Sequence, residues 1–398
     1  MLFPKPEGGI SMSFLRRSTA ALLVLCLLLP GVALAQRPLE EGTPMTLTSP
    51  AAILAETSTG TIIFEKNADE RREVASITKL MTALLVLEAL ERGDVSLSDS
   101  VQVSANAAAM KGSQALLDAN ATYSLEDLLR TTIMASANDS AVALAEYLCG
   151  SEEAFVSRMN ERASQLGMAN TRYVNATGYP QEGQYTTARD VCTLCCEVAK
   201  HPTYTKYSSV WIDKLNHPGG RVTDLTNTNR LVRFYQGCDG FKTGSTDAAK
   251  YCLAATAQKN GMRLVAIVLG TPVSQTRFNE ARAMLDYGFA NYQRMAIANK
   301  GDLLGESLPV RGGAADTVEL ALGSGLSMLL KNGQQSGLRL ELALPESVDA
   351  PVAEGDVLGT VNVLMNGQVI AKLSCVAASN VPRPGFIEGL YRILENWR

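Results

Sequence analysis

Histidine is scarce in this chain: 398 residues contain only His201 and His217, and each stands directly before a proline. A Ser-His-Asp or Cys-His mechanism has few bases to draw on, so any nucleophile here needs another activating group. Basic charge is not in excess either, with 36 Lys and Arg against 40 Asp and Glu. The electrostatic footprint of a nucleic-acid-binding surface is therefore missing. The apolar run from Ala20 to Leu29 is about half the 20 residues that a membrane-spanning helix takes. A composition of 46% hydrophobic and 19% charged residues excludes disorder and collagen.

What the N-terminus does carry is an export signal. Arg16 and Arg17 precede the apolar run, and Pro30, Gly31 and the small-residue triplet Ala33-Leu34-Ala35 follow it. Residues 1–35 read as a secretory signal peptide cleaved after Ala35, with Met12 as an alternative start. Lys5, Arg16 and Arg17 leave with the signal, so the exported chain is more acidic than the whole-chain charge of −4. Seven of the eight cysteines lie beyond it, and an odd number leaves at least one unpaired or joined to another chain.

Past the signal, Ala51 to Ala55 and Thr61 to Glu65 flank Thr57-Ser58-Thr59-Gly60 in the pattern of a hairpin. A buried helix follows from Ser76 to Leu90, with leucines at three- and four-residue spacing and Gly93 beyond its end. Residues 100 to 205 read as all-α, with Ser124 and Asp127 as a capping-box variant. Strand patterns return at Asp239 to Thr243, Tyr251 to Ala257 and Met262 to Leu269, the last two joined through Asn260-Gly261. Strands at both ends with helices between them predict one antiparallel sheet, closed by the two ends and carrying a helical insertion. After Ala296 short alternating runs, among them Thr317 to Leu322 and Thr360 to Met365, predict a small all-β domain. From Pro384 to Arg398 the apolar residues Phe386, Ile387, Leu390, Tyr391, Ile393, Leu394 and Trp397 share one helical face.

The activating group that histidine does not supply is offered by Ser76-Ile77-Thr78-Lys79, a serine and a lysine three apart on the opening turn of the buried helix. A serine there also meets free backbone N–H groups and the positive end of the helix dipole, which stabilise an oxyanion. Alone, this spacing is common and reads as a helix cap followed by a solvated lysine. Two further motifs follow in order: Ser136-Ala137-Asn138 in the helical block and Lys242-Thr243-Gly244 at the end of a strand. The set S-x-x-K, S-x-N, K-T-G is that of class A β-lactamases and penicillin-binding proteins.

On these motifs the chain resembles the serine D-alanyl-D-alanine carboxypeptidases, the low-molecular-mass penicillin-binding proteins, from about Thr48 to Pro384. Residues 239–251, Gln184 to Asp190 and Gly112 to Leu117 resemble further segments of that family. The resemblance implies an α+β domain of the DD-peptidase/β-lactamase type, a five-stranded antiparallel sheet flanked by helices, followed by a β-sandwich. The expected division is a catalytic domain at 36–296, a β-sandwich at 297–383 and an amphipathic membrane-surface helix at 384–398.

The resemblance assigns Ser76 as the acylated nucleophile, Lys79 as its base, and Ser136 and Asn138 as members of the hydrogen-bonded network. Lys242, Thr243 and Gly244 would line the substrate, the glycine admitting the acyl chain, and the Ser245 N–H would complete the oxyanion hole. Histidine stands in many relatives where this chain has Ser245, and arginine in some where it has Thr228. Arg277 matches an arginine that receives the substrate's terminal carboxylate. The implied partners are peptidoglycan stem peptides ending in D-Ala-D-Ala, with β-lactams as covalent inhibitors. No metal or cofactor is called for. A zinc site on Cys192, Cys195, Cys196 and His201 is disfavoured, because Val191, Leu194, Cys195 and Val198 form one apolar stripe and no second Cys-x-x-Cys pair exists. Against a β-lactamase stand the absence of a Glu-x-x-Leu-Asn sequence and the extra β-domain. A DD-endopeptidase shares the same acyl-enzyme, and a noncatalytic cell-wall or β-lactam-binding module would have little need of intact Ser76, Lys79, Ser136 and Lys242.

Overall fold

The computed structural model describes residues 45–385 and residue 387; the predicted signal peptide and most of the predicted tail helix lie outside these. Five strands form the central sheet: β1 (Ala51–Glu56), β2 (Ile62–Lys66), β3 (Cys238–Thr246), β4 (Lys250–Lys259) and β5 (Met262–Thr271). Their order is β2-β1-β5-β4-β3, and every neighbouring pair is antiparallel. The first strand closes on the last, from Ala51 opposite Leu269 to Glu56 opposite Leu264. Asn260 and Gly261 both take positive φ in the β4–β5 turn, as a tight type I′ hairpin needs.

Side chains of alternating parity in β1, β4 and β5 enter two separate cores. Ile53, Ala254 and Ile267 face one, and Leu54, Leu253 and Leu264 face the other. Helix α1 (Lys79–Arg92) fills the first core and is buried on nearly all sides, from Leu80 and Met81 through Val86 and Leu87, until Gly93 ends it with a left-handed cap. Around it pack α2 (Leu125–Met134), α3 (Asn138–Cys149), α4 (Glu152–Gln165), α5 (Ala188–Val198) and α6 (Pro202–Ser208). The second core lies beneath α7 (Ser274–Asn291), through Phe278, Ala281, Met284 and Leu285.

The insertion is not purely helical. Ser100–Gln102 pairs with Thr122–Ser124, and beyond it Ile212–Asn216 pairs with Val222–Thr226. Strands of three to five residues, half exposed, are too short to show an alternation in sequence. Ser124 does cap α2, its hydroxyl accepting the Asp127 N–H at 3.0 Å.

The C-terminal part is all-β. Strand β6 (Tyr292–Ala298) leaves α7 directly and pairs with Leu326–Lys331, and Tyr292 and Leu329 enter the core beneath α7. Six further strands between Leu303 and Ala377 form one sheet over a core of Val318, Leu320, Val361, Val363, Leu373 and Cys375. Among the described residues no helix is long and apolar enough to cross a membrane.

Candidate active site

The chain enters α1 through a 3₁₀ turn, Ala75–Thr78, in which Ala75 holds a φ of 50°. With three residues per turn, positions i and i+3 eclipse one another, so Lys79 stands over Ser76 with its Nζ 3.0 Å from the serine Oγ. Ser76 is half-buried, whereas Lys79 is 1% exposed. The same Nζ donates to Asn138 Oδ1 at 2.6 Å and to the Thr177 carbonyl at 2.7 Å. An ammonium fills all three acceptors with its three protons. A neutral amine keeps the two shorter bonds and turns its lone pair to the Ser76 hydroxyl. The serine proton can therefore be taken up without moving a heavy atom. Burial, and after it the positive charge of Lys242, holds Lys79 well below the ordinary lysine range, against a smaller opposing pull from Asp139.

Two loops deliver the other acceptors. Asn138 opens α3, its Nδ2 donates to the Lys111 carbonyl at 2.5 Å, and its own N–H goes to Ser113 O. Asp139, fully buried, accepts N–H bonds from Ala115, Leu117 and Ser140 and so fixes the loop that follows Gly112. The Thr177 carbonyl comes from Asn175-Ala176-Thr177-Gly178, where Asn175 Oδ1 accepts the Gly178 N–H at 2.7 Å and Thr82 Oγ1 on α1 donates to Ala176 O at 2.6 Å. Gly178 lies at φ 76° against the nucleophile turn, and a Cβ there would run into the Ala75 carbonyl. Ser136 is 4% exposed and takes φ 62°; it does not cap α3, whose N-cap is Ala137, and its hydroxyl makes no hydrogen bond among the described residues.

Strand β3 forms the opposite wall and is the free edge of the sheet. Lys242 is 1% exposed and, among the described residues, donates only to Thr243 O, at 3.2 Å; burial, then Arg277, brings its pKa down to about 7. Thr243 Oγ1 bonds Thr228 Oγ1 at 2.7 Å, which ties the strand to the position where some relatives carry arginine. Gly244 has a packing reason to be glycine: a Cβ there would strike the Val74 carbonyl and crowd Ile77, so the glycine admits the nucleophile turn against the strand. Ser245 is exposed at the strand's end. Arg277 is 8% exposed, with Nη1 on the carbonyls of Gly244 at 3.0 Å and Cys252 at 3.1 Å; its buried Nε has no partner among the described residues.

Residues 38–273 match the family described as D-alanyl-D-alanine carboxypeptidase, and residues 292–383 match the C-terminal domain of penicillin-binding protein 5. The chain belongs to the D-alanyl-D-alanine carboxypeptidase family. It is 36% identical over 348 residues to the D-alanyl-D-alanine carboxypeptidase DacF of Bacillus subtilis, which covers 87% of this chain and 89% of that one. The solved penicillin-binding protein 5 of Haemophilus influenzae matches with a TM-score of 0.75 at 30% identity, over 86% of this chain and 100% of that one. The ampicillin-bound form of penicillin-binding protein D2 from Listeria monocytogenes matches with a TM-score of 0.54 at 32% identity, over 62% of this chain and 100% of that one.

In this member of the carboxypeptidase family, Ser76, Lys79 and Asn138 form one hydrogen-bonded cluster, and Lys242 acts on Lys79 through its charge. The histidines and the cysteine group take no part in it. His201 Nδ1 bonds Glu91 at 2.7 Å and His217 Nδ1 bonds Tyr123 at 2.8 Å. Cys192 and Cys195 sit in the first core, where contact with Cys196 and burial push the Cys192 thiol well up. The residues that sequence reasoning missed are Thr177, Gly178 and Asp139. The glycine and the asparagine of Asn175-x-x-Gly178 are the only sequence signal for that loop.

Proposed function

We propose that this chain is an exported serine hydrolase that removes the C-terminal D-alanine from peptidoglycan stem peptides through an acyl-enzyme on Ser76, and that penicillins acylate the same oxygen. The observation that carries the reading is the Lys79 amine, buried beside a second lysine and 3.0 Å from Ser76 Oγ. Lys79 takes the hydroxyl proton as Oγ bonds the carbonyl carbon of the penultimate residue. The C–N bond then breaks and the leaving amine receives a proton, with Ser136 as the relay. Water hydrolyses the acyl-enzyme and regenerates Ser76. The N–H groups of Ser76 and Ser245 take the oxyanion, and Arg277, with its unpartnered Nε, supplies positive charge for the terminal carboxylate.

The test is a mass measurement. A fluorescent penicillin is expected to give one adduct per molecule of residues 36–398, on the peptide containing Ser76, and the protein is expected to release D-alanine from diacetyl-L-lysyl-D-alanyl-D-alanine. An adduct on any other residue would sink the assignment. The tail, residues 384–398, completes the proposal as a weak membrane-surface anchor, because its apolar face is flanked by Arg383, Arg392 and Arg398. Protein spanning residues 36–398 is expected to cosediment with anionic liposomes and protein spanning 36–383 to stay in the supernatant; equal sedimentation would remove the anchor.

A further inference from the structure

The second core carries on its surface an arginine-lined cavity that the reaction does not use. It has a volume of about 270 Å³ and lies between the short helical turn Leu231–Phe234 and the first turns of α7. The buried part of its lining is apolar, Leu231 and Phe278 of the second core, and Phe234 beside them is 54% exposed. Arg230 and Arg282 complete the walls. Elsewhere half-buried arginines hold carboxylates, as Arg162 holds Glu88, Arg189 holds Glu65 and Arg263 holds Asp239. Around this cavity none does. The Arg230 guanidinium has no hydrogen-bond, ion-pair or ring partner among the described residues. Arg282 donates to Phe234 O at 2.7 Å through Nη2 alone and lies 5.8 Å from the centre of the Tyr235 ring. Asp286, one turn further along α7, accepts the Tyr235 hydroxyl at 2.8 Å instead. Gln275 Nε2 donates to Asn279 Oδ1 at 3.0 Å, which leaves Asn279 Nδ2 as a further donor on the lining. The N-terminus of α7 has neither a capping side chain nor an acidic residue in its first turn, so its positive end adds to the field of the arginines.

We propose that this cavity is a second ligand site for a small organic anion, a carboxylate or phosphate ester carried on an apolar body the size of one ring. A cavity of roughly 150 Å³ holds a benzene, so this one has room for a ring and its anionic group. The Arg230 and Arg282 guanidiniums match the planar or tetrahedral oxygens of such a group. The body packs on Leu231, Phe278 and Phe234. The site stands apart from the reacting groups, since none of its lining residues bonds Ser76, Lys79 or Asn138. It does adjoin the substrate wall: the Phe278 ring centre is 4.8 Å from the Arg277 guanidinium, and Thr228, two residues before Arg230, bonds Thr243.

The test is titration calorimetry of residues 36–398 with benzoate, phenyl phosphate, acetate and inorganic phosphate. The two phenyl anions are expected to bind at least about tenfold more tightly than their ring-free counterparts, because only they reach the apolar lining. Arg230→Gln, which breaks no side-chain contact among the described residues, is expected to raise the Kd of the phenyl anions about tenfold through loss of a charge-assisted contact. Arg282→Gln, which keeps a donor for Phe234 O, is expected to do the same. Tighter binding of benzoate marks a carboxylate site and tighter binding of phenyl phosphate a phosphate site; either order bears the proposal out. Equal affinity for ringed and ring-free anions overturns it, because the arginines then act as bare surface charge. Absence of binding by both phenyl anions overturns it too. So does a Kd unchanged in both variants, which would put the anions in the cleft at Arg277.

Discussion

Lys79→Arg is expected to slow acylation by penicillin about 10³- to 10⁴-fold, and Ser76→Ala to abolish the adduct. The amine at position 79 is 1% exposed and has three oxygen partners within 3.0 Å. A guanidinium keeps the charge and could satisfy the Asn138 and Thr177 oxygens. It cannot be deprotonated in a protein, so it has no lone pair for the serine proton. It also places a permanent charge where burial and Lys242 already disfavour one. Loss of stability is the competing explanation for a dead variant, and Lys79→Met separates the two. Met carries no charge and nearly matches lysine in length, so, although the Asn138 and Thr177 oxygens lose their donor, it is expected to fold and still fail to acylate. Acylation of the Arg variant at an undiminished rate would require a different base.

The parts of this molecule that were legible in its sequence are those set by short-range geometry. Ser76 and Lys79 meet because they are three apart on a tight turn, and β4 and β5 pair through Asn260-Gly261. The long apolar α1 announces itself by spacing. What was hidden depends on backbone atoms or on distant approach. The third acceptor for Lys79 is a main-chain carbonyl, and nothing about the threonine side chain at 177 marks it. Gly244 and Gly178 are glycines because two stretches of backbone remote in sequence press against them, which only the packed structure reveals. Ser136, expected in the hydrogen-bonded network, stands two residues before α3 at a positive φ, and its hydroxyl makes no hydrogen bond among the described residues. Arg277, on the first turn of α7, could equally have faced solvent; its bonds to the Gly244 and Cys252 carbonyls instead bury it against β3 and β4.

Lys242→Met is expected to stabilise the protein near neutral pH while lowering D-alanine release about 10²-fold or more. The lysine is wholly buried with one carbonyl as its partner, and its pKa is brought down to about 7 by burial first and by Arg277 second. In the unfolded chain it titrates near 10.4. Between about pH 7 and 10.4 the unfolded state therefore holds a proton that the folded state has released. Stability then rises with pH across that window. Below it, the mismatch of roughly 3.5 units costs about 5 kcal/mol at ~1.4 kcal/mol per unit. Methionine removes that cost, so the gain over the parent is expected to be largest at pH 6 to 7 and to vanish near pH 10, as read by urea unfolding at each pH. A gain independent of pH would show that the stabilisation has another source. The same substitution removes a positive charge that depresses the Lys79 pKa. Lys79 then holds its proton to higher pH, and the acid limb of the acylation profile, which needs the neutral amine, is expected to move upward. A limb that stays in place would mean that the field of Lys242 does not reach the base, and that the second lysine serves the substrate alone.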